Sequence, residues 1–305
     1  MTTMIDDPLP DLILTLRSRT PADRIRAAKD LGRLGSLARE SLPTLVGLLR
    51  DDEAKVREAA AQAVGQMGTG ALAALSGMLT HPDKYVRRNA VWAMGKLGPL
   101  AQPALPALCK GLKDSDPRTA SGAAQAIGNM GEAGADAIPA LTEAMRGTNI
   151  VLCRLAAKAL SQIGMPALSA LVAHLQHTDP FVRGEAALAI GWLGAAGKMA
   201  VPYLAQVVRG REPRSLRDTP PPMGSLSRGV VDGAEGHAES VTPIANPVAD
   251  SSSPEESCRV YAAQALGRMG PAAVAAVPEL KIAARTGPDA LRQAATHALN
   301  QIQAA

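Results

Sequence analysis

The chain has 305 residues, 47% of them hydrophobic, 20% charged and only 2% aromatic, with a net charge of +4. A core with so few rings must be filled by Ala, Leu, Val, Ile and Met, which suits closely packed helices and argues against a sheet of β-branched runs. Cys109, Cys153 and Cys258 are scattered, without CxxC or Cys/His spacing, which argues against a disulfide framework or zinc module and for a reducing compartment.

The chain opens "MTTMIDDPLPDLILTLRSR", which has no basic leader and an apolar run too short for a signal peptide. No stretch approaches the about 18 apolar residues of a membrane span. A cytoplasmic protein without membrane association is therefore expected.

Within this opening, "LPDLILTLR" (9–17) returns 33 residues later as "LPTLVGLLR" (42–50). Between them lies a different phrase, and that one recurs along the whole chain. It reads "KVREAAAQAVGQMG" at 55–68, "YVRRNAVWAMGKLG" at 85–98, "FVRGEAALAIGWLG" at 181–194 and "SCRVYAAQALGRMG" at 257–270. Its closing glycines are Gly35, Gly68, Gly98, Gly131, Gly164, Gly194 and Gly270, at steps of 33, 30, 33, 33, 30 and 76. A period of 30 to 33 residues is that of a helical array, and the last step holds one period plus an insertion.

Each period predicts two helices. The first starts at a cap four residues before the recurring arginine: Thr20, Glu53, Asp83, Asp116, Asn149, Asp179 and Glu255. Oxygen-bearing side chains there accept free backbone N–H groups. An inner glycine series (Gly32, Gly65, Gly95, Gly128, Gly191, Gly267) is expected to admit a neighbouring helix, and the outer series to end the helix in a left-handed cap. The second helix starts near Pro43, Pro106, Pro139, Pro202 or Pro278. The chain thus begins with an unpaired second helix and ends with an unpaired first helix, "DALRQAATHALNQIQ" (289–303). Terminal half-units of this kind cover the ends of a stack.

Two phrases, "DPFVRGEAALAIGWLG" (179–194) and "DKYVRRNAVWAMGKLG" (83–98), resemble the HEAT-like repeats known from phycobilin lyases. With the periodicity, the resemblance predicts an all-α, right-handed αα superhelix, a HEAT-like solenoid of about seven helix pairs with a half-unit at each end. The expected organisation is repeats over 1–209, an insertion over 210–254, and a last pair with its half-unit over 255–305.

The insertion holds seven prolines and no helical period, a composition expected to be disordered. Without residues 209–257 the chain carries 27 basic and 20 acidic residues. The insertion reads either as a tolerated surface loop or as a tethered docking peptide, and the first is preferred.

The recurring arginine occupies Arg24, Arg57, Arg87, Arg183, Arg259 and Arg292, and is replaced by Ala120 and Cys153 in consecutive repeats. It reads either as a structural ladder bonding caps and carbonyls of adjacent repeats, which is preferred, or as a basic groove. A second ladder, Arg17, Arg50, Lys113, Arg146, Arg209 and Arg285, ends the second helices. Complementing the helix dipole accounts for it; a basic ridge for nucleic acid or an acidic partner is the alternative.

Catalysis finds little support. None of His81, His174, His177, His237 and His297 is followed by Glu, so the paired ligands of di-iron HEAT-repeat hydroxylases are absent. His174 and His177 lie one helical turn apart, but a polar helix end accounts for them better than a metal. No phosphate loop, cofactor motif or nucleophile arrangement is found.

The aromatics are more telling. Aligned on the closing glycines, Trp92 falls where other repeats have Lys29, Gln62, Gln125, Lys158 and Gln264. Trp192 falls where others have Arg33, Gln66, Lys96, Asn129, Gln162 and Arg268, and Tyr85 and Phe181 share a column with Lys55 and Arg118. Helical spacing places Tyr85, Trp92 and Lys96 on one face, and Phe181, Leu188 and Trp192 on the equivalent face three repeats later. These six residues are candidates for binding a partner; rings lying flat on neighbouring alanines are the competing account.

The function expected is a non-enzymatic scaffold that binds another protein and needs no cofactor. Three alternatives stand: a phycobilin lyase or chaperone, which the resemblance implies; nucleic-acid binding of the kind found in HEAT-like alkylpurine DNA glycosylases, whose catalytic residues have no match here; and a structural protein with no partner beyond itself. Nucleic acid is not the favoured partner.

Overall fold

The computed structural model describes residues 8–210 and 253–304. The expected insertion at 210–254 lies outside them except for Gly210, Ser253 and Pro254. Among the described residues every regular element is helical.

The chain divides into two units, Met1–Ala167 and Leu168–Ala305. The first holds α1 (Leu9–Thr15), α2 (Pro21–Leu34), α3 (Leu42–Leu48), α4 (Ala54–Gln66), α5 (Leu72–Met78), α6 (Lys84–Leu97), α7 (Leu105–Gly111), α8 (Pro117–Asn129), α9 (Ile138–Met145) and α10 (Ile150–Ile163). The second holds α11 (Leu168–His174), α12 (Pro180–Trp192), α13 (Val201–Arg209), α14 (Pro254–Arg268), α15 (Val277–Thr286) and α16 (Asp289–Gln303). In chain order these are seven first-and-second helix pairs, preceded by the single α1 and followed by the single α16.

The first helices start where their caps predict. Asp83 accepts from the Tyr85 N–H at 2.8 Å, Asp116 from Thr119 at 2.9 Å and Asp179 from Phe181 at 2.9 Å, while Asn149 accepts from both Val151 and Leu152. Thr20 and Glu53 hold the cap position with extended backbone but make no side-chain cap bond. The last cap differs from expectation. It is Ser253, which accepts from the Glu256 N–H, so α14 begins two residues earlier than the repeat spacing implies. Glu255 lies within the first turn and pairs instead with Arg183 of α12.

The closing glycines all have positive φ, and Gly35, Gly98 and Gly164 combine it with a ψ outside the left-handed cap expected of them. Gly98 has φ 53° and ψ −130°, a region a Cβ makes inaccessible to other residues. This sharper turn feeds a 3₁₀ segment, as at Gly98–Ala104, which the sequence reading did not anticipate and which carries the chain to the proline-started second helix.

Packing follows from residue size. In each unit the first helices form the tighter row, with alanines such as Ala60, Ala90, Ala93, Ala123 and Ala124 fully buried. The second helices contribute one wholly buried leucine apiece: Leu45, Leu75, Leu108, Leu141, Leu171, Leu204 and Leu280. The inner glycines let neighbouring backbones approach. A Cβ at Gly191 would lie 2.9 Å from Ala265 Cα, and one at Gly267 3.0 Å from Ala298 Cα. Gly95 is the loosest of the series, with Ala126 Cα at 3.5 Å.

The arginine ladder is structural. Arg24, Arg57, Arg87 and Arg183 each donate from Nη1 to the carbonyl six residues back, at 2.7–2.9 Å, and to the next carbonyl as well. The other edge of the guanidinium reaches the following repeat: Arg24 bonds Asp51 at 2.8 Å, and Arg87 grips Asp114 at 2.7 and 2.9 Å. Cys153, which replaces the arginine, keeps part of this scheme, since its thiol donates to the Gly147 carbonyl, again six residues back, at 3.1 Å.

Candidate functional site

Three neighbouring first helices of the N-terminal unit, α4, α6 and α8, line a groove of about 520 Å³. Tyr85, Trp92 and Lys96, which helical spacing placed on one face, all line it. The rings are exposed, Tyr85 by 45% and Trp92 by 39%.

Cations gather over the rings. The guanidinium of Arg57 sits 5.1 Å and that of Arg88 5.2 Å from the Tyr85 centroid, with Lys84 Nζ at 5.5 Å. Lys96 Nζ sits 4.9 Å from the Trp92 centroid. Exposed contacts of this kind contribute about 0.5–1 kcal/mol each and fix ring orientation. Arg88 is itself held from α8, donating to both Asp116 oxygens from Nε at 2.7 Å and Nη2 at 2.5 Å. That bond, with the Thr119 hydroxyl and N–H, holds the Asp116 carboxyl well below the usual carboxylate range. One carboxylate therefore both caps α8 and aims an arginine at Tyr85.

On α8 the groove is lined by a glycine, Gly122, where a Cβ would stand 3.0 Å from Val91 Cγ1. Gly122 stands nine residues before its closing glycine, where other repeats carry Arg26, Ala59, Asn89, Leu155, Glu185 or Tyr261. Gly122, Gly95 and Ala126 line the floor, and Asn89, Gln125, Arg118 and Glu58 line the walls. The sequence reading missed Gly122, although its column carried the signal.

In the C-terminal unit Phe181, Leu188 and Trp192 all lie on α12. Trp192 is 38% exposed, whereas Phe181 and Leu188 are half-buried. Two neighbours on this helix, Arg183 and Glu185, are buried.

The second ladder sits at the C-terminal ends of the second helices, with Arg17, Arg50, Lys113, Arg146, Arg209 and Arg285 all exposed. Three of its members turn toward the second helix of the next repeat: Lys113 bonds Glu143 at 3.0 Å, Arg209 pairs with Glu279, and Arg50 contacts the Met78 sulfur at 3.5 Å. These contacts, together with the helix dipole, give the ladder a role within the fold.

Among the described residues no group of three His, Cys, Asp or Glu side chains gathers as a metal site. The rings of His174 and His177 stack, with centroids 6.3 Å apart. Nδ1 of His174 donates to the Ala170 carbonyl at 2.8 Å, because a carbonyl can only accept. Burial pushes the Cys258 thiol up to about 11, the opposite of what an activated nucleophile requires. Among the described residues no helix is long and apolar enough to cross a membrane.

Comparison with known proteins gives the following. No curated protein matches the chain by sequence. Among solved structures, the complex of CpcE and CpcF of phycocyanin lyase from Nostoc sp. PCC7120 is 19% identical, with a TM-score of 0.42 over 96% of this chain and 94% of that one. Human deoxyhypusine hydroxylase is 19% identical, with a TM-score of 0.36 over 97% and 96%. An engineered protein is 19% identical, with a TM-score of 0.44 over 97% and 78%. Likeness of this degree carries nothing about what the chain binds or catalyses. The family model for HEAT repeats, by contrast, matches residues 9–81, 72–152 and 138–219, more than half of the chain. The helix pairs, the arginine ladder and this match lead to one conclusion: the chain belongs to the HEAT-repeat family.

Proposed function

We propose that the protein is a non-enzymatic scaffold that binds another protein through the faces of its first helices. The observation that carries this is the exposure of Tyr85, Trp92 and Trp192: other repeats fill the Trp192 column with Lys, Arg, Gln and Asn and the Trp92 column with Lys and Gln except at Leu188, and the Tyr85 column includes Lys55 and Arg118. Three of the six aromatic residues of the chain are thus spent on surface. Folding alone gains little from that, whereas a partner that buries them gains much, since Trp and Tyr are enriched among residues that dominate binding energy. The groove beside Tyr85 and Trp92 adds concavity and preset rings.

A photo-crosslinking residue placed at the exposed Gln125, in the groove, tests this against one at Ala73, exposed on α5. In extract of the native host, a defined protein is expected to crosslink from position 125 and not from position 73. Crosslinking from position 73 alone, or from neither, contradicts the reading.

A further inference from the structure

We infer that the groove between α4, α6 and α8 takes an extended acidic segment of a partner protein, in which carboxylates flank an apolar or aromatic side chain. This rests on the scaffold reading and names the chemistry of the partner.

Charge is the first argument. The lining carries Arg57, Arg88, Lys96 and Arg118 against Glu58 alone, and Lys84 stands at the rim over Tyr85. Arg88 is neutralised by Asp116, but Arg57 is bonded to main-chain carbonyls, which leave its charge in place. Lys96 of α6 and Arg118 of α8 are exposed and line the groove. A concave wall with an excess of cations selects a segment of the opposite sign.

Shape is the second. The floor at Gly122, Gly95 and Ala126 lacks bulk, so one large apolar side chain can enter beside Trp92 while its charged neighbours stay at the walls. Neighbouring helices stand about 8–10 Å apart. At about 3.4 Å per residue, an extended strand crossing three of them uses about six residues. Asn89 and Gln125 offer both donors and acceptors, which a peptide backbone can use and a phosphate backbone, lacking donors, can use only in part.

The same features decide against a single-stranded nucleic acid. That class binds by stacking bases on open aromatic faces. Here three cations crowd Tyr85 and one sits over Trp92, where they compete with a stacking base.

The test uses the full chain and fluorescence anisotropy with three labelled probes: a peptide alternating Glu with Leu and Phe, the same peptide with Lys for Glu, and a ten-residue oligothymidylate. The acidic peptide is expected to bind saturably, more weakly as salt rises, and at least tenfold more tightly than either control. Lys96→Glu combined with Arg118→Glu is expected to weaken it at least tenfold while shifting the melting curve only slightly, since both side chains are exposed and the contact given up is that of Lys96 with Trp92. Gly122→Leu fills the floor and is expected to weaken it similarly, although a Cβ there meets Val91 Cγ1 at 3.0 Å and stability falls somewhat. No binding of the acidic peptide, binding indifferent to the charge reversal, or tighter binding of the oligonucleotide overturns the inference. If the peptide fails while a protein still crosslinks at position 125, the acidic partner is wrong and the scaffold reading survives. If both fail, both fall.

Discussion

Replacing Arg87 with Met is expected to lower stability by about 1–3 kcal/mol, the cost of leaving part-buried, charge-assisted hydrogen bonds unmade. Arg87 and Asp114 are only 12% and 11% exposed. The guanidinium makes four bonds there, two to Asp114 and one each to the His81 and Pro82 carbonyls. Methionine fills much of the space and satisfies none of these groups. Asp114 would retain the Asp116 N–H at 2.8 Å but lose its counter-charge. Arg146→Met, on the exposed second ladder, is the control and is expected to change stability by less than about 0.5 kcal/mol. Urea denaturation of the two variants measures the difference. Equal behaviour would mean that Arg87 contributes no more to stability than an exposed arginine at a helix end.

The inner glycines predict a contrast of sign. Gly191→Leu is expected to cost about 1–3 kcal/mol or more, because the first added carbon already stands 2.9 Å from a backbone atom of α14. Gly95→Ala is expected to stabilise by about 0.5–1 kcal/mol, because its new Cβ meets Ala126 at an ordinary 3.5 Å and the helix gains from losing a glycine. Thermal melts of both variants against the parent decide it. A destabilising Gly95→Ala or a neutral Gly191→Leu would show that helix spacing along the row is set otherwise.

Much of the fold was legible because it rests on local chemistry repeated in register. Asp83, Asp116, Asn149 and Asp179 cap as their residue types require, and the prolines at 106 and 139 start helices where a missing N–H costs nothing. Ser253 escaped because the spacing from Arg259 points to Glu255, whereas α14 runs two residues further back to Pro254. The 3₁₀ segments escaped because their geometry follows from a glycine ψ that a residue name does not disclose. The site divides in the same way. Tyr85, Trp92 and Lys96 share a face by helical arithmetic, and the groove holds all three. The cations over Tyr85 come from two helices, Arg57 from α4 and Lys84 and Arg88 from α6, so their convergence depends on how the helices pack. Gly122 gains meaning only beside Val91, which stands where its Cβ would reach, and beside Trp92, with which it lines the groove. Phe181 shares a column with Tyr85 yet is half-buried, since its own neighbours differ.

The central claim is that the exposed rings serve a partner rather than the fold. The most direct measurement compares Trp92→Ala and Trp192→Ala with the parent, both in affinity for the protein that crosslinks at position 125 and in melting. Truncating a ring that anchors binding typically costs about 2 kcal/mol or more, which is about 30-fold in affinity. Trp92→Ala is predicted to show a loss of that order. It should change stability by no more than about 1 kcal/mol, the worth of its contact with Lys96. Trp192→Ala is predicted to weaken binding in part, with a small change in melting. A large loss of stability with affinity intact would place both rings in the service of the fold and contradict the account.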